Sequence, residues 1–299
     1  MITIKKENFQ DFYLAILKSY NEKFKNKFQN RNLASNIFKN SNSISIDELE
    51  NYTKKIDDKE VKSIVNRIIG VTKIRYSREN DINLDINDVW KYISKSILEI
   101  PVKHTISSIG SQGFLSIPLF KFDPTLEEFD FIRLHIWDKS LWEYMDLEKC
   151  EMFSIHTHTF FAKSWVITGE LINERYDYEE NSENSNYSLF KVKYNDSLNQ
   201  VNRHTSMAIN KNIDIEIEKT ANEHYQAGDN YEIEAGKLHK SKQASSHILA
   251  TFFSFTGKDG LAKSIVVGPK NIKESEVNRK KIIDPTNLIN QISRQISND

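Results

Sequence analysis

The sequence predicts a mainly β fold, a sandwich or barrel of short strands that follows an α-helical N-terminal region and precedes a C-terminal helix. Three observations predict it. From Pro101 to about residue 269, runs of β-branched and aromatic residues alternate with turn residues. Before Pro101 the apolar residues recur instead at three- and four-residue steps, and after Asp284 that longer step returns. A period near two marks strands and a period near 3.6 marks helices. The expected division is 1–100 helical, 101–272 β-barrel and 273–299 helical tail.

In order, Phe9, Phe12, Tyr13, Ile16, Leu17, Tyr20 and Phe24 form one apolar stripe, read as core. Ser45 and Glu48 have capping-box spacing ahead of a short helix. Asp85 is a second cap, followed by Val89, Trp90, Ile93 and Ile97 at helical spacing. Past Pro101, HTISSIG and GFLSIPLF are strand runs bounded by Gly or Pro. In residues 129–137, FDFIRLHIW, the side chains of Arg133, His135 and Trp137 share one face and Ile132, Leu134 and Ile136 the other. Further strands are expected at 153–158, 163–176, 187–194, 213–217, 231–234, 247–255 and 264–267. That gives roughly eight to ten short strands with turns between them, the pattern of a sandwich or barrel. Residues 179–188, EENSENSNYS, read as an exposed hairpin loop. Asp284 and Pro285 form a cap and first-turn pair for a helix that buries Leu288, Ile289, Ile292 and Ile296.

Composition narrows the function. Of 299 residues, 38% are hydrophobic and 28% charged, which is a soluble globular balance. Forty-one Lys plus Arg against 42 Asp plus Glu give no basic face for nucleic acid. Cys150 stands alone, so no internal disulfide forms. No apolar run approaches the ~18 residues of a membrane span, and the opening MITIKKENFQ lacks a signal-peptide core. A cytoplasmic protein with a small-molecule substrate, no membrane or nucleic-acid partner and a possible homodimeric state is expected.

The chemistry concentrates in two stretches. Residues 152–171, MFSIHTHTFFAKSWVITGEL, hold His156 and His158 one residue apart in a strand-forming run, so both rings point the same way. Residues 228–239, GDNYEIEAGKLH, end in His239 behind Gly228 and Gly236, whose backbone freedom permits the turns of a hairpin. Three imidazoles brought together suit zinc, copper, iron or nickel.

These stretches resemble the paired motifs of the cupin superfamily. In the first motif His156, His158 and Gly169 fall in register, while Cys150 replaces the opening glycine and Ala162 the usual glutamate ligand. In the second, Gly228, Gly236 and His239 fall in register, with Glu234 for the proline and Gln243 for the asparagine. The resemblance covers residues 101–269 and implies a double-stranded β-helix, or jelly-roll barrel. It also implies a divalent metal held by His156, His158 and His239 alone, in the manner of thiol dioxygenases, with Fe(II) expected and Zn or Ni as alternatives.

A three-imidazole site leaves the cation's charge uncompensated, which favours an anionic substrate. The expected function is a ferrous dioxygenase acting on a small polar or anionic substrate. The alternative is a non-catalytic cupin that binds a ligand or protein partner. On the substrate side, strand parity carries inward-facing positions from Ala162 through Ser164, Val166 and Thr168 to Glu170. Arg133, Arg175, Tyr176 and Tyr231 are candidates to hold a carboxylate or hydroxyl. His135 is a candidate pocket residue and His224 a spare ligand.

Overall fold

The structure is a computed structural model that describes residues 2–110, 112–180, 185–194, 204–281 and 283–298. Six helices precede the sheets: α1 Lys6–Leu17, α2 Glu22–Phe28, α3 Leu33–Phe38, α4 Ile46–Thr53, α5 Lys59–Glu79 and α6 Ile86–Leu98. A small ribbon of β1 Thr3–Lys5 and β2 Ser43–Ser45 ties α1 to α4. The capping signals are real bonds. Glu48 N–H donates to Ser45 Oγ at 3.2 Å, and Ser45 N–H donates to Glu48 Oε2 at 2.8 Å. Asp88 N–H donates to Asp85 Oδ1 at 2.9 Å.

The strands that follow are β3 Ser107–Gly110, β4 Leu115–Phe122, β5 Asp130–Trp137, β6 Phe160–Thr168, β7 Glu170–Glu180, β8 Tyr187–Tyr194, β9 His204–Gln226, β10 Asn230–Ile233, β11 Leu238–Gln243, β12 Leu249–Leu261, β13 Ile265–Pro269 and β14 Glu274–Lys281. Helix α7 Leu147–Met152 lies between β5 and β6, and α8 Thr286–Asn298 ends the chain. Pairing divides these strands into two groups. The first runs β10–β6–β12–β5–β4–β3. The second joins β13 to β8, β8 to β9, β9 to β7 and β7 to β11, and single bridges from His156 to His239 and Val266 place segment 155–158 between β11 and β13. Strand β14 links the groups by pairing with both β3 and β9.

From segment 155–158 onward, the chain crosses repeatedly between these groups. The segment lies in the second, β6 in the first, β7 to β9 in the second, β10 in the first, β11 in the second, β12 in the first and β13 in the second. That winding is a jelly roll, which hides most strand edges by folding two sheets onto each other. The mainly β fold class with flanking helices is therefore the one the sequence implies.

Each face of the first sheet has its own cover. Ile132, Leu134 and Ile136 of β5 join Leu115, Ile117 and Leu119 of β4 and Ala250 and Phe252 of β12 in one core with the N-terminal helices and α8. The opposite face presents Trp137, Ala162, Val166, Tyr231, Ile233 and Phe253, packed with Leu171 of the second sheet. The helices are thus a layer on the outer side of the first sheet. A buried ion pair fixes that layer. Arg78 of α5 donates to both carboxylate oxygens of Asp130 on β5, Arg75 donates to Oδ2, and Arg78 also reaches Ser254 Oγ at 2.6 Å. Burial pushes the Asp130 carboxyl up, but the hydrogen bond and charge of Arg78, with Arg75 behind it, outweigh burial and hold it below the usual carboxylate range.

Five sequence expectations change. The run 153–158 forms no regular strand, because it joins its neighbours only through the single bridges at His156. The run 163–176 is two strands, because Gly169, at φ 78°, turns the chain between β6 and β7. The run 213–217 is the middle of a 23-residue strand, β9. Residues 179–188 are not a single loop. Glu179 and Glu180 finish β7, Tyr187 and Ser188 begin β8, and 181–184 lie outside the described residues. The tail after residue 273 opens with β14 rather than with helix. No described helix is long and apolar enough to cross a membrane.

Candidate metal centre

Three elements position the three imidazoles. Segment 155–158 is extended, held by His156 N–H to His239 O and His239 N–H to His156 O, both 3.0 Å. That reciprocal pair sets His156 and His239 directly opposite one another, so their side chains leave on the same face. Gly236 N–H donates to His158 O at 2.9 Å and fastens the β10–β11 turn over the segment. Gly236 has φ 79°, where any Cβ would be strained and would also meet Ala262 Cβ at 2.8 Å.

The rings converge. Their centroids are 4.7 Å apart for His156–His158, 4.5 Å for His156–His239 and 4.7 Å for His158–His239. One nitrogen from each lies within 4.8 Å of the others. Nitrogens sharing an ion at the usual 2.0–2.1 Å sit about 3–3.5 Å apart, a change that ring rotation supplies. Tautomers are set from outside. His156 Nδ1 lies 2.8 Å from Ser154 O and His239 Nδ1 3.4 Å from Lys237 O, so each carries its proton on Nδ1 and aims the Nε2 lone pair inward. Burial lowers the basicity of all three rings. His158 and His239 are driven well down, His158 further by its two neighbours and His239 further by His156. Three neutral imidazoles, two of them buried and with their tautomers fixed, are the donor set a divalent ion requires, so these residues fit one.

The walls are aromatic on one side. Phe253 and Phe255 of β12 pack against His158 at 5.6 and 4.8 Å. Alternation in LATFFSFT already places Thr251, Phe253 and Phe255 on one face of β12, a signal the histidine motifs overshadow. Ala162 lies on the inner face, paired with Phe255 and Ile233, where it contributes no ligand atom.

The substrate-side candidates separate. Arg133 is on the inner face of β5, and its charge bears on both His135 and His158. His135 is buried there, between Phe114 at 4.2 Å and Phe253 at 5.0 Å. Arg175 is directly opposite His239 in the β7–β11 pairing, but its guanidinium is engaged by Glu223 at 3.0 Å and Glu232 O at 2.6 Å. Tyr231 is buried on the inner face, its hydroxyl 3.5 Å from Ser241 Oγ. The other candidates lie elsewhere. Glu170 is exposed, because the turn at Gly169 and the β-bulge between Val166 and Thr168 break the parity counted from Ala162. Thr168 accordingly turns to Gln295 of α8. Tyr176 donates to Glu174 Oε2 at 2.6 Å and packs with Leu189, Leu238 and Val267 on the outer face of the second sheet. His224 is exposed on β9 beside Asn222.

No family model matches the sequence, and no curated protein matches it. Among solved structures, two point variants of Bacillus subtilis oxalate decarboxylase align at 11% identity over 57% of this chain, with TM-scores of 0.29 and 0.28. The aligned part spans 31% of each of those chains.

Proposed function

We propose that this chain is a mononuclear metal-dependent enzyme of the cupin kind, a ferrous dioxygenase that takes a small anionic substrate. One observation carries the reading. His156, His158 and His239 bring three neutral nitrogens together, and among the described residues no carboxylate or thiol joins their cluster. Imidazole donors suit iron, zinc and nickel alike. The bound ion would supply Lewis acidity and a place for O2 beside the substrate.

The chain's own residues do the rest. Ser154 O and Lys237 O keep the proton of each flanking imidazole on Nδ1, so neither ring can turn its N–H toward the site. Phe253 and Phe255 cover His158 and exclude water from one side. Arg133 raises the positive potential over the same face. A buried cation with neutral ligands and a neighbouring guanidinium favours a carboxylate or thiolate over a neutral molecule. Ala162, standing where a fourth ligand is usual, leaves more of the coordination sphere to the substrate.

The test is oxygen uptake by iron-reconstituted protein with a panel of small thiols and carboxylates. Uptake that needs both iron and one panel member supports the reading. Iron retained without uptake for any member leaves the non-catalytic cupin as the better account, and failure to hold any divalent ion ends both forms of metal chemistry.

A further inference from the structure

We propose that the inner face of the first sheet carries a polar subsite, formed by Ser116, His135, Thr251 and Trp137, which receives the oxygen-bearing end of a small carboxylate. The proposal deepens the reading above and rests on it only for what holds the ligand's other end.

The placement follows from register. Ser116 of β4 is paired with His135 of β5, and His135 with Thr251 of β12. Paired residues on adjacent strands project from the same face at about 4.5–5.5 Å spacing, so the three form a row. Their immediate chain neighbours settle which face. Leu115, Ile136, Ala250 and Phe252 pack with the helices, so the row points between the sheets. Trp137 is two residues beyond His135 on the same face, and Phe114 packs on both rings, at 4.2 and 4.7 Å. The row lies one pleat repeat, roughly 6.6 Å, from Phe253, the ring on which His158 packs.

The chemistry follows from satisfaction. Ser116 Oγ, His135 Nε2, Trp137 Nε1 and Thr251 Oγ1 are all buried and find no hydrogen-bond partner among the described residues. Buried polar atoms are paired in about nine cases of ten, so several together on one internal face mark a place where something polar binds. Trp137 can only donate, and the hydroxyls can donate or accept. Arg133 lies two residues from His135 on the same face of β5. Such a set matches an acceptor-rich, negatively charged group. Phe114 and Phe253 bound the row with apolar surface, which limits the ligand to a small molecule.

The experiment is titration calorimetry with acetate, glycolate, lactate and succinate, on zinc-loaded and on metal-free protein, for wild type, Thr251→Val and Trp137→Phe. Metal content is measured alongside. Thr251→Val exchanges the hydroxyl for a methyl of similar size, and removing an unpartnered polar atom leaves the melting temperature equal or higher. The expected result is that at least one probe binds wild type and that each variant weakens it tenfold or more at unchanged metal content. Absence of binding by every probe overturns the subsite, as does equal binding by wild type and both variants. A probe that binds metal-free wild type but neither variant, in a protein that holds no metal, sinks the metal reading and leaves the subsite standing.

Discussion

Introducing a carboxylate at position 162 makes the metal centre's geometry testable through stability. Ala162 is 1% exposed, lies between Phe255 and Ile233 across the sheet, and is one strand away from the Phe255 ring that packs on His158 at 4.8 Å. In metal-free Ala162→Glu, the new carboxylate is buried without a cation. Leaving a buried charge uncompensated costs about 3–5 kcal/mol. Overfilling a packed interior adds about 1–3 kcal/mol. The metal-free variant therefore loses roughly 4–8 kcal/mol, a large part of the 5–15 kcal/mol typical of a folded domain. With a divalent ion at the three imidazoles the charge is paired and only the packing cost remains. The assay is guanidinium unfolding of wild type and variant, in chelator and in zinc. The variant should gain at least about 3 kcal/mol more from zinc than wild type does. Equal losses in chelator and in zinc would refute the reasoning, since position 162 would then not face the ion.

Three other expectations follow from named contacts. Gly169→Ala places a side chain at φ 78° with its Cβ 2.6 Å from Ile248 O, and should cost about 2–5 kcal/mol in urea unfolding. The Asp130 carboxyl is held below its ordinary value, so its contribution is present above about pH 4 and is lost as pH falls through the folded value. Wild type should therefore lose melting temperature steeply below about pH 4, whereas Asp130→Asn should be weaker at pH 7 and vary less across that window. His224→Ala should leave both metal content and stability, within about 0.5 kcal/mol, unchanged, because the ring is exposed.

Much of the architecture was legible because its signals are local. The stripe from Phe9 to Phe24, the Ser45–Glu48 box and the alternation at Ile132–Trp137 each reflect one period or one bond. The two faces of β5 came out as the alternation implies, with isoleucines and leucine toward the helices and Arg133, His135 and Trp137 toward the interior. The convergence of His156, His158 and His239 was also legible, since glycines at Gly228 and Gly236 mark the turns that bring distant segments together. What escaped has physical reasons. Strand β9 is long but exposed over much of its length, so residues such as Glu216, Glu218 and Lys219 dilute its apolar pattern. Parity counted from Ala162 fails at Glu170 because a bulge and a left-handed glycine intervene, and neither shows in a hydrophobic period. The Arg78–Asp130 pair joins residues 52 apart, which no local rule reaches. Tyr176 reads as a plausible ligand-holding group only until its face is known.

Metal content of untagged protein, wild type against the three single alanine variants, bears most directly on the central idea. Wild type should carry about one divalent ion per chain, and His156→Ala, His158→Ala and His239→Ala should each lose it while keeping the wild-type circular dichroism. Wild type that emerges metal-free and cannot be loaded, or His239→Ala that retains its ion, would contradict a shared centre built from these three rings.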